Sequence, residues 1–140
     1  MFGTLLLFFS LGTIFACDYK DVTPKEAFCN AVWVGVFEVV SSSATGDQML
    51  YNVNVGIVFK SKNGNPQSEQ ITQIFTSTDG GSCGLVGLHM GVKYLLAGDI
   101  SKNGELHINS NGQFPQINWN KVPYSVKMAL ITGTYRPCSK

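Results

Sequence analysis

Four cysteines, Cys17, Cys29, Cys83 and Cys138, and two histidines, His89 and His107, are the thiol and imidazole groups this chain has for nucleophilic or metal chemistry. Their spacing argues against both uses. No C-x-x-C pair occurs and neither histidine stands at ligand spacing from a cysteine, so a zinc site has no pattern to rest on. The histidines read as a loop residue and a strand-face residue. Neither an H-E-x-x-H pair nor a phosphate-binding glycine loop is present, so the chain reads as a binder and not an enzyme, with no cofactor implied.

Cys17 is the exception, because of what precedes it. Leu5 to Phe15 (LLLFFSLGTIF) is an apolar run too short to span a membrane, and Ala16 is the small residue a signal peptidase needs before its cut. Residues 1–16 therefore read as a signal peptide, although they carry no Lys or Arg. Phe15 fits a lipobox poorly, and the lipoprotein reading is set aside. Cleavage would leave Cys17 first, with a free α-amino group on a cysteine. Residues 17–140 form one domain's length of chain. In a secreted chain, four widely spaced cysteines imply two disulfides, with three connectivities formally open. The net charge of +1 gives no electrostatic footprint for nucleic acid or an anionic membrane, and neither partner is expected.

The elements that would position these residues are mostly strands. Ala31 to Val40 (AVWVGVFEVV) is dense in β-branched and aromatic residues, and Met49 to Phe59 alternates, placing Met49, Tyr51, Val53, Val55, Ile57 and Phe59 on one face. Gln70 to Thr76, Val92 to Ala97 and Glu105 to Asn109 are further strands, and Ser41 to Gln48 reads as a polar loop. Helical signal is confined to the ends: Thr23 to Phe28, with Thr23 and Glu26 as a capping box and Pro24 at the first helical position, and Pro123 to Ile131. Trp33 and Trp119 read as packing residues, and Lys60 and Lys62 as a solvated turn. Five such strands with outer helices close most easily into a small barrel, which predicts a mainly β, OB-like fold.

PKEAFCNA at Pro24 to Ala31, YLLAGDISKNGELHI at Tyr94 to Ile108, Trp119 and the closing YRPC at Tyr135 to Cys138 resemble the N-terminal inhibitory domain of the tissue inhibitors of metalloproteinases, a netrin-like barrel. The resemblance spans residues 17–140 and implies a stand-alone netrin-like domain. It implies the pairings Cys17–Cys83 and Cys29–Cys138. It also places a third bridge of the family at Tyr19 and Asn111, so both halves of that bridge are missing together.

The resemblance further implies a secreted, extracellular inhibitor of a zinc metalloendopeptidase. Cys17 would lay its amine nitrogen and carbonyl oxygen on the protease's zinc, and Cys17, Asp18, Tyr19, Lys20 and Asp21 would enter the cleft with Gly81, Ser82, Cys83 and Gly84. Asp18 departs from the family, which prefers a small or apolar side chain there. A carboxylate in an apolar pocket loses hydration and meets the protease's own glutamate. Neutralising it at pH 7 from a reference pKa of about 3.9 costs on the order of 4 kcal/mol. The alternative is a netrin-like interaction module without inhibition that binds a receptor or matrix protein. Intact mass of the secreted chain tests the processing: the expected species starts at Cys17 and lacks four hydrogens relative to the reduced form, and any other start removes the proposed amine.

Overall fold

The chain enters its fold through a capped helix, α1 (Pro24–Asn30). Thr23 Oγ1 accepts the Glu26 N–H at 3.1 Å, and Glu26 Oε1 accepts the Thr23 N–H at 2.8 Å. This reciprocal box satisfies two N–H groups that the helix cannot pair internally. The computed structural model describes residues 20–78 and 83–139; the expected signal peptide, 1–16, lies outside them.

Five strands follow: β1 (Trp33–Thr45), β2 (Gln48–Lys60), β3 (Ile71–Ser77), β4 (Lys93–Ile100) and β5 (Leu106–His107). A 3-10 turn at Trp119–Lys121 and a helix α2 (Tyr124–Thr132) complete the mainly β chain. Pairing runs in the order β1-β2-β3-β5-β4 and returns from β4 to β1, a closed barrel. Among the described strands only β3 and β5 pair in parallel. Among the described residues no helix is long and apolar enough to cross a membrane.

The continuous apolar run of β1 follows from burial on both faces. Trp33, Phe37 and Val39 point into the barrel with Tyr51, Val53 and Leu96, whereas Val34 and Val36 face an outer layer with Leu95, Ala97, Phe28 and Leu130. A strand covered on both sides cannot alternate with polar residues. The Cys29–Cys138 disulfide ties α1 to the C-terminal segment across 109 residues of sequence. On the chain-entropy account such a loop is worth about 4 to 5 kcal/mol at most.

Three expectations need correction. Ile57 does not share the inner face of β2; it is 48% exposed. Gly35 pairs with Val58 but Phe37 with Val55, so β2 carries an extra residue there. That bulge turns Val58 inward and sends Phe59 to the outer layer against Trp119. The segment Ser41 to Gln48 is not a loop. β1 runs on to Thr45 and meets Gln48 across a turn of Gly46 and Asp47, with Gly46 at φ +63°. Polar side chains do not prevent a strand whose backbone finds a ladder partner, and glycine supplies the positive φ of the tight turn.

Lys60 is not a turn residue either; it is the half-buried last residue of β2. Its ammonium donates to the carbonyls of Phe28 and Cys29 at 2.9 and 3.3 Å, where α1 ends without a basic residue of its own. Burial lowers its pKa, and repulsion from Arg136 lowers it further.

Two contacts fix β4. A Cβ at Gly98 would collide with the His107 carbonyl and the Trp33 indole. The side chain of Gln113, which is buried, accepts the Ala97 N–H at 2.9 Å and donates to the Ala97 carbonyl at 2.7 Å and the Asn109 carbonyl at 2.9 Å. Gly98→Ala is expected to destabilise the fold by about 3 kcal/mol, the upper end of ordinary overpacking, as read by chemical denaturation. A loss below about 0.5 kcal/mol, the size of a neutral surface change, would contradict this close approach.

Candidate functional site

The segment from Cys83 to Val92 has no ladder of its own, so its backbone groups need other partners. Buried hydroxyls of the barrel supply them. Thr76 Oγ1 accepts the Leu85 N–H at 2.9 Å, and Tyr51 Oη donates to the Leu85 carbonyl at 3.0 Å and accepts the Leu88 N–H at 3.4 Å. Tyr94 Oη accepts the His89 N–H at 2.9 Å. All three side chains are buried in a chiefly apolar interior. Burial pushes the Tyr51 phenol above its ordinary 10.0, a shift the Leu88 N–H partly offsets.

Cys83 itself takes φ +62°, a left-handed conformation uncommon outside glycine, and it is disulfide-bonded. Its carbonyl accepts the Ser110 N–H at 2.6 Å, and its sulfur accepts from Asn111 Nδ2 at 3.4 Å. Asn111 Oδ1 in turn accepts the Lys20 N–H at 3.1 Å. The structure thus brings together Lys20 and Cys83, which are far apart in sequence, through a residue standing where the resemblance places a lost cysteine.

The other expected site residues are distributed as follows. Asp21 is exposed and Gly84 half-buried. Cys17, Asp18, Tyr19, Gly81 and Ser82 lie outside the described residues, so the expected Cys17–Cys83 pairing does too. The expectation that the chain holds no G-x-S-x-G motif is wrong by its letters, since Gly80 to Gly84 (GGSCG) spells the nucleophile-elbow pattern. That elbow needs a strand-to-helix turn, and no helix follows Cys83 before β4.

His89 lies exposed in the loop, while His107 stacks on Phe75 with ring centroids 5.5 Å apart and has Nε2 at 3.3 Å from Glu105. Among the described residues no group of three or more His, Cys, Asp and Glu side chains could hold a metal ion. Trp33 is a core residue, and Trp119 packs on Phe59 beneath the Lys127 ammonium.

Sequence reasoning missed Tyr51, Thr76 and Tyr94 as loop anchors. The available signal was a hydroxyl at an inward strand position, where it must find a partner. It also missed the exposed Val86 and Met90 in this loop.

The family model described as "tissue inhibitor of metalloproteinase" matches residues 15–139, nearly the whole chain. The chain belongs to the tissue inhibitor of metalloproteinase family. A search of the curated proteins finds no match. Membership makes the chain metalloproteinase-inhibitor-like and its natural kind of partner a metalloproteinase. The loop itself is suspended from buried hydroxyls of the barrel, which hold its backbone in shape.

Tyr51→Phe removes one anchor and leaves the Leu85 carbonyl unpaired by it, at an expected cost of about 1 to 3 kcal/mol near neutral pH. A phenol whose folded pKa is raised stabilises the fold below the unfolded value and loses that contribution as pH rises through the folded value. Denaturation from pH 8 to 12 should therefore show wild type and Tyr51→Phe converging above about pH 10. A constant gap would contradict the role given to this hydroxyl.

Proposed function

We propose that the protein is a secreted metalloproteinase inhibitor with an OB-type, netrin-like barrel, whose mature chain begins at Cys17 and acts through its α-amino nitrogen and carbonyl oxygen. Both atoms would occupy the open position of the target's catalytic zinc, where water otherwise binds. The observation that carries the reading is the bond from the Lys20 N–H to Asn111, which draws the chain three residues beyond Cys17 toward the Cys83 loop. Cys83 is disulfide-bonded while Cys29 and Cys138 are bonded to each other, which favours Cys17 as the Cys83 partner. The ring order of the strands, with β3 and β5 parallel, favours the OB-type assignment.

The chemistry requires a neutral amine. An α-amino group has an unperturbed pKa of about 7.7 to 8, and zinc coordination completes its deprotonation. It also requires a rigid wedge, Cys17 to Asp21 beside Gly81 to Gly84, so that little freedom is lost on binding. Asp18 works against the fit by carrying charge into a desolvated pocket. It restricts the protein to proteases whose pocket beside the zinc tolerates a carboxylate.

Titration against a panel of zinc metalloproteinases tests the proposal. An added N-terminal Ala should abolish inhibition with the fold intact, because it moves the donating amine away from Cys17. Retained inhibition would rule out chelation. Asp18→Thr should tighten inhibition of proteases with apolar pockets, by up to roughly a thousandfold if the full ionisation penalty of about 4 kcal/mol is relieved. The gain should appear in dissociation more than association and shrink at mildly acidic pH. If wild type and Asp18→Thr both fold and both leave every protease active, the wedge does not fit such clefts, and the receptor- or matrix-binding module becomes the better reading.

A further inference from the structure

We infer that Asn111 is the positioning residue of the inhibitory edge: its side-chain amide holds the N-terminal segment against the Cys83 loop and so sets how slowly the inhibitor leaves a protease. The consequence for inhibition rests on the proposed function; the positioning itself rests on hydrogen bonds.

An asparagine amide offers an acceptor on one side and donor hydrogens on the other. Here the acceptor takes the backbone N–H of Lys20 at 3.1 Å and the donor reaches the Cys83 sulfur at 3.4 Å, joining segments 91 and 28 residues away in sequence. The neighbouring Ser110 N–H donates to the Cys83 carbonyl at 2.6 Å, so two successive residues grip the same loop. The nearest relatives of asparagine do not do both at this reach. Aspartate keeps the acceptor but has no hydrogen for the sulfur, serine is too short, and glutamine adds a methylene that displaces both ends.

The bridge also stands on a rigid base. Gly112 follows at φ +83°, which lets the chain turn sharply behind Asn111. Gln113 then locks onto Ala97 and Asn109 through three buried hydrogen bonds. Asn111 is therefore fixed from β4, while its amide reaches out to the backbone of Lys20. In the described part of the N-terminal segment, Lys20 is the first residue held this way, and Thr23 already belongs to the cap of α1. Without the amide, the residues upstream of the cap would lose this tether to the loop that carries their expected disulfide.

The test uses the mature chain, amide hydrogen exchange by NMR, and inhibition of a matrix metalloproteinase catalytic domain cleaving a fluorogenic peptide. Asn111→Ala should accelerate exchange of the Lys20 amide about tenfold, the worth of one to two net hydrogen bonds, and speed dissociation by a similar factor. Exchange in β1 and β4 should not change. Asn111→Asp keeps the acceptor and should restore slow Lys20 exchange, a rescue that a general loss of stability would not give. If Asn111→Ala does not fold, Asn111→Ser, which cannot span to Lys20, must show the same loss.

Unchanged Lys20 exchange in the Ala or Ser variant overturns the inference, as does faster exchange with unchanged dissociation. If the wild type inhibits no protease, the inhibitory reading fails by itself. The exchange data then decide separately whether Asn111 positions the segment.

Discussion

Strand β1 is hydrogen-bonded along both edges, to β2 and to β4, and the Trp33 indole fits between them only where residue 98 has no side chain. The indole N–H donates to the Asp99 carbonyl at 2.7 Å, which fixes the ring to the backbone of β4 and not merely to its surface. Phe37 meets the same ring edge-on at 5.3 Å. With β1 and β4 locked in register, Tyr94 comes to lie opposite Phe37, and its hydroxyl reaches the His89 N–H. The position of the Cys83 loop therefore depends in part on how a tryptophan of β1 is seated against β4.

The barrel holds this loop with polar atoms in an apolar interior. That arrangement is stable only if every donor and acceptor is paired, since an unpaired buried hydroxyl costs about as much as the hydrogen bond it could have made. Among the described residues no buried side-chain nitrogen or oxygen lacks a partner. The same economy gives direction. A hydrogen bond accepts few geometries where an apolar contact accepts many, so hydroxyls orient the loop while aliphatic side chains only support it.

Much of this was legible in the sequence. The capping box of Thr23 and Glu26 and the strand signal of the β-branched and aromatic run from Ala31 to Val40 are local, and local physics reads them correctly. The errors came where a partner elsewhere in the chain decided the outcome. Ile57 faces out because of a bulge set by pairing with β1, and the polar stretch from Ser41 to Thr45 is a strand because β2 continues beside it. Lys60 looked like a turn residue until the open end of α1 was found next to it. At the site, the cysteines announced themselves, whereas Asn111 had no motif of its own. Its significance lies in contacts between segments that sequence spacing does not relate.

Gln113 closes a gap that the strands leave open. With β5 only two residues long, the outer edge of β4 would end in unpaired peptide groups. Instead Leu95 donates to the Ile117 carbonyl, Ala97 is met by the Gln113 amide and Asp99 by His107. A primary amide presents the same donor and acceptor as a peptide group, so one side chain does here what a residue of strand would otherwise do. The result is a β4 with no sticky flank. A strand of another molecule has nowhere to add along it, which removes one common route by which small β-proteins aggregate at high local concentration.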